Sequence, residues 1–183
     1  MTPARPEADA SSLARLLAGG RHNRLGLFWA PPPGLPAIET AHFERVMRLM
    51  RPGQPGMKFA GNSVAVADPL RLPCIEALLD RLLVTTVLPG ATARAELREL
   101  WRVMSPAALA LLVIKARRPW QWSAPGWLED DLRPLLDALM FEVHDWQVET
   151  LPDRHHVILV GKRDGLRPAP IGAVEAQDVT VTA

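Results

Sequence analysis

A chain of 183 residues fits one compact domain better than two. Its apolar content of 48% is enough for a substantial core, while 21 basic and 20 acidic side chains leave a formal net charge of +1. That balance removes the electrostatic case for binding nucleic acid or a membrane surface.

Cys74 is the single cysteine, which excludes an internal disulfide and a cysteine-rich metal site and suits a reducing cytoplasm. The first twelve residues lack a cationic start followed by an apolar stretch, so no signal peptide is expected. The longest apolar run, 107–114, stops at Lys115, Arg117 and Arg118, well short of the roughly 20 residues of a membrane span.

Residues 1–8, small, polar and proline-containing, are expected to be disordered. Asp9 or Ser11 can cap a short helix carrying Leu13, Leu16 and Leu17, ended by Gly19 and Gly20. RLGLFWA, at 24–30, reads as a buried strand running into Pro31, Pro32 and Pro33. Pro36 can open a helix over 37–44, and 46–50 reads as a second strand stopped by Arg51, Pro52 and Gly53. NSVAVA, at 62–67, predicts a third strand ending at Asp68 and Pro69.

The segment 79–88 contains LLVTTVL, a fully buried strand pattern. Thr92 then caps a helix with Leu97, Leu100, Trp101 and Met104 at helical spacing, which places Trp101 in the core. Ser105 and Pro106 end it, and 109–114 is another buried strand. A second helix is predicted over 127–140, with Pro134 kinking it or marking its beginning. Strands at 142–149 and 155–160 follow, joined through Leu151, Pro152 and Asp153, and 164–183 is expected to be a flexible tail.

Strands alternating with helices imply parallel pairing, and two final strands without a helix between them imply an antiparallel closure. The fold class is therefore α/β, a doubly wound, mostly parallel Rossmann-like sheet over 9–163 with an antiparallel final strand.

Four phrases, in order, resemble the class I S-adenosylmethionine-dependent methyltransferase family, of the methyltransferase type 11-like kind. ADPLRLPCIEALLDRLLVTTVL, at 67–88, is similar to a passage in which an acid leaves the third strand and an aspartate enters the fourth; Asp68, Leu72, Pro73 and Asp80 take those places. AELRELWRVMSPAALALLVI, at 95–114, matches a helix-to-strand signature through Glu99, Arg102, Val103 and Pro106. LRPLLDALMFEVHDWQ, at 132–147, resembles a helix-to-strand joint in which Met140 replaces a glycine, and HHVILVGKR, at 155–163, matches the last strand.

The resemblance implies a cofactor, S-adenosylmethionine, and a site at the end of the first strand. The family's acid-then-glycine loop falls on Gly26, Phe28, Ala30 and Pro32, so the glycine-rich loop is degenerate. Glycines there allow positive φ and close approach of the backbone to the ligand. The second strand's usual ribose-binding acid is replaced by Met50 and Arg51, and an arginine accepts no hydrogen bond. The expected cofactor-binding residues are Gly26, Phe28, Ala30, Asp68 and Thr85. Asp68 takes the place that meets the adenine amino group, and Thr85, with Thr86, borders cofactor and substrate. No catalytic residue is assigned.

Simpler readings stand beside these. Asp68 is equally a turn-starting aspartate before Pro69, and Thr85 and Thr86 suit a buried strand. His155 and His156, as strand neighbours, point to opposite faces, so no metal site is expected. Trp120, Trp122 and Trp127, after Arg117 and Arg118, form either a substrate-facing or partner-facing loop or a local apolar cluster. Two functions are open: methyl transfer to an unknown small-molecule or protein acceptor, weakened by the degenerate loop, or a non-catalytic interaction or regulatory domain with a protein partner.

Overall fold

The computed structural model describes residues 16, 18, 21–35, 38–53, 64–121, 124–151 and 153–163. The expectations for 1–8 and 164–183 lie outside the described residues. Seven strands form one sheet: β1 (Arg24–Phe28), β2 (Arg45–Met50), β3 (Val64–Val66), β4 (Leu79–Val84), β5 (Met104–Lys115), β6 (Phe141–Leu151) and β7 (Asp153–Lys162). Two helices, α1 (Ala93–Val103) and α2 (Glu129–Ala138), link β4 to β5 and β5 to β6.

The strand order is β3-β2-β1-β4-β5-β7-β6. β1 to β5 pair in parallel, whereas β7 runs antiparallel to both β5 and β6. The expected α/β sheet with an antiparallel closing strand is the one observed. Chain direction reverses its winding between β1 and β4, and in such sheets ligands bind in the crevice beyond the carboxyl ends of those strands.

Both helices cover one face. Leu97, Leu100 and Val103 of α1 and Leu132 and Leu136 of α2 are buried there with Leu82, Leu112 and Ile158. On the other face Leu83, Leu111, Val113 and Leu159 pack with Leu16, Leu35 and Ile38.

Three expectations are corrected. Residues 38–44 are not helical: Thr40 and Phe43 close a turn, and Glu44 N–H donates to Asn23 C=O at 3.1 Å. A segment this short cannot offset the cost of helix nucleation by itself. β5 starts at Met104, directly after α1, because Pro106 keeps Ser105 extended; Ser105 Oγ also donates to Asp80 Oδ1 at 2.9 Å. α2 occupies only Glu129–Ala138 and runs through Pro134.

Candidate functional site

β1 ends in the core rather than in a glycine loop. Phe28 is 1% exposed, and its ring folds back over Gly26, where an added Cβ would lie 3.0 Å from Phe28 Cε1. Trp29 follows with φ 70° and is 2% exposed, so a bulky residue takes up a left-handed conformation that glycine adopts more readily. Its N–H donates to Leu49 C=O at 2.9 Å, which fixes the chain against β2.

Thr85 closes the other side. Its backbone N–H donates to Phe28 C=O at 3.2 Å, and its hydroxyl donates to Ala30 C=O at 2.9 Å. Gly26, Phe28, Ala30 and Thr85 are thus brought together, with Thr85 pinning the loop. Asp68 stands apart, at the end of β3 and exposed; Oδ1 accepts the Leu70 N–H at 2.9 Å in a tight turn. Asp80 lies at the opposite, amino-terminal end of β1 and β4, where it accepts from Arg24 N–H at 2.9 Å and from Ser105.

The residues that shape the crevice include two whose role the sequence reading did not assign, Trp29 and Glu96. Arg51, one residue past β2, turns inward and sets its guanidinium 4.7 Å from the centroid of the Trp29 ring. The same guanidinium donates to Thr86 C=O and to Glu96 Oε1. Glu96 lies in the first turn of α1 and is 3% exposed. Burial pushes its carboxyl above the usual range, against the pull of Arg51. The Trp29 indole N–H is buried near Glu96 but falls short of hydrogen-bond geometry with any described group. Glu96 had a signal in the sequence: Ala93, Leu97, Leu100 and Val103 repeat at helical spacing, and Glu96 sits inside that apolar stripe.

The tryptophan loop divides. Trp127 is buried and donates Nε1–H to Val87 C=O at 2.8 Å, tying the end of β4 to the β5 side. Trp120 is 67% exposed, under the Arg118 guanidinium at 5.4 Å. Trp122 lies outside the described residues. His155 and His156 are buried on separate partners, Asp153 C=O at 2.9 Å and Trp127 C=O at 3.1 Å.

No protein-family model and no curated protein sequence matches the chain. Solved structures do. The 1,6-didemethyltoxoflavin-N1-methyltransferase of Burkholderia thailandensis, solved with S-adenosylhomocysteine bound, superposes with TM-score 0.59 at 18% identity over 86% of this chain and 79% of that one. The methyltransferase in complex with the Trm112 activator of Haloferax volcanii gives 0.59 at 12% identity, over 87% and 89%. The cyclase SpnF gives 0.57 at 15% identity, over 86% and 82%. The chain has the class I S-adenosylmethionine-dependent methyltransferase fold.

Proposed function

We propose that this is a methyltransferase-like protein, type 11-like with a degenerate glycine loop, whose cofactor crevice is closed by its own side chains. In this reading methyl transfer is weak or absent, and the chain serves as an interaction or regulatory domain of the cytoplasm. One observation carries it: Arg51 stacks on Trp29 past β1, pairs with Glu96 and donates to Thr86 C=O past β4, so its guanidinium lies between the ends of those two strands. S-adenosylmethionine does not fit those side chains as they stand. A large residue replaces a glycine-like backbone at Trp29, and the end of β2 supplies a donor where ribose hydroxyls need an acceptor.

Isothermal titration with S-adenosylmethionine and S-adenosylhomocysteine tests this. Losing a charged acceptor alone costs about 1.5–3 kcal/mol, roughly ten- to a hundredfold in affinity. No heat and no thermal stabilisation at millimolar ligand supports the non-catalytic reading. Micromolar binding refutes it and returns the chain to the enzymes.

A protein partner is favoured by exposed apolar side chains following the ends of β4 and β5. Leu88 is exposed past β4, and Trp120 is exposed past β5 under the Arg118 guanidinium. The methyl acceptor, if there is one, is not assigned.

A further inference from the structure

Trp29, Glu96 and the Thr86 carbonyl present an aromatic face, a buried carboxylate and a carbonyl to a single point, now held by the Arg51 guanidinium. That is the chemistry of organic-cation recognition, since a ring face attracts a cation most when water is excluded. Arg51 follows β2 and reaches the seat with its guanidinium. We propose that Trp29, Glu96 and Thr86 form a seat for a small organic cation, with Arg51 as its tethered occupant. The chemical class the seat takes is then a guanidinium or alkylammonium group, supplied by Arg51 itself in the parent chain and by a free compound only where Arg51 is absent. This rests on the reading of a self-closed crevice and names the chemistry that closes it.

Three observations support the seat. Glu96 is buried and paired with the Arg51 guanidinium, so a cation at this point offsets the cost of desolvating the carboxylate. Trp29 keeps a strained φ of 70° while its ring lies under the guanidinium, and such strain clusters at ligand clamps. Thr85 holds the Phe28 and Ala30 carbonyls from the far side, so the seat is preformed and does not depend on Arg51 for its backbone. A tethered group enjoys a millimolar or higher effective concentration, so a free cation of similar strength competes poorly with it.

The test uses the full chain with Arg51→Ala and methylguanidinium chloride as the probe, kept below ~50 mM, where its denaturing effect is small. The variant should lose thermal stability and regain several degrees saturably, with half-saturation in roughly the millimolar range. Sodium chloride at equal ionic strength should restore nothing. The parent should not respond, and neither should Arg51→Ala combined with Glu96→Gln. A folded Arg51→Ala variant that responds no differently from the double variant overturns the seat. Should Arg51→Ala not fold, Glu96→Gln decides the matter. Acrylamide should then quench a larger share of tryptophan emission than in the parent, and that extra share should vanish when Trp29→Phe is added; unchanged quenching counts against the proposal. Tight S-adenosylmethionine binding by the parent would refute the closed crevice, whereas an unresponsive Arg51→Ala variant refutes the cation seat alone.

Discussion

Phe28 lies so close over Gly26 that a Cβ at Gly26 would stand 3.0 and 3.1 Å from its ring and 2.9 Å from Leu79 Cδ1. Gly26 serves packing: the Phe28 ring takes the space a side chain at Gly26 would need and packs in the core that the helices cover. Gly26→Ala in a strand should ordinarily help, yet here overpacking should cost about 1–3 kcal/mol. A urea melt measures it. Equal or greater stability would mean that the ring swings outward.

The Arg51–Glu96 pair is largely out of water, with side chains 16% and 3% exposed. Glu96→Ala leaves an uncompensated guanidinium and should lose about 3–5 kcal/mol. Replacing both together by Arg51→Met and Glu96→Leu should recover most of that loss, because two charges no longer need desolvating. A double-mutant cycle in denaturant reads the coupling; additive losses would show that the two side chains do not act as a pair.

His156 gives the chain a pH dependence. Its Nδ1 accepts the Trp146 Nε1–H at 3.2 Å and its Nε2 reaches Trp127 C=O at 3.1 Å, an arrangement that suits the neutral ring. Burial, ahead of the opposing Trp127 bond, holds its pKa below the ordinary value. A histidine depressed in the folded state binds fewer protons than the unfolded chain does. Its contribution is therefore fully present above about pH 6.5 and is lost as pH falls from there toward the folded pKa. The urea midpoint between pH 7 and pH 5 should fall more steeply in the parent than in His156→Gln. Parallel profiles would place the sensitivity elsewhere.

Met140 occupies a left-handed position, φ 64°, just past α2, where the resemblance led one to expect glycine. The conformation costs a side-chain-bearing residue about 1–2 kcal/mol, and Met140 is 46% exposed. Met140→Gly should thus be neutral or stabilising by up to about 1 kcal/mol in a thermal melt, after the entropy of glycine is deducted. A clear loss would show that the side chain does more packing than its exposure implies.

Periodicity exposed the fold because β1, β2 and β4 are short runs that stop near proline, and α1 carries an apolar stripe. It misled at Trp101. That residue borders the stripe but lies half-buried at the rim, with Nε1–H donating to Met140 C=O at 3.1 Å and Lys162 Nζ 3.9 Å from its ring centroid. Trp101→Ala should therefore cost roughly 1–3 kcal/mol rather than the larger loss of a fully buried ring. The site was only half legible. Gly26, Phe28, Ala30 and Thr85 lie near one another because they belong to the neighbouring strands β1 and β4 and the turns after them, but Arg51 read only as a missing acid. Its inward turn onto Trp29 depends on α1 bringing Glu96 over the end of β1, a tertiary meeting that no local spacing records.

A crystal structure of the chain soaked in millimolar S-adenosylhomocysteine shows whether its own side chains close the crevice. Arg51 should remain stacked on Trp29 and bonded to Glu96, with no ligand between β1 and β4. Ordered S-adenosylhomocysteine there, with Arg51 turned out to solvent, would mean that the crevice is open.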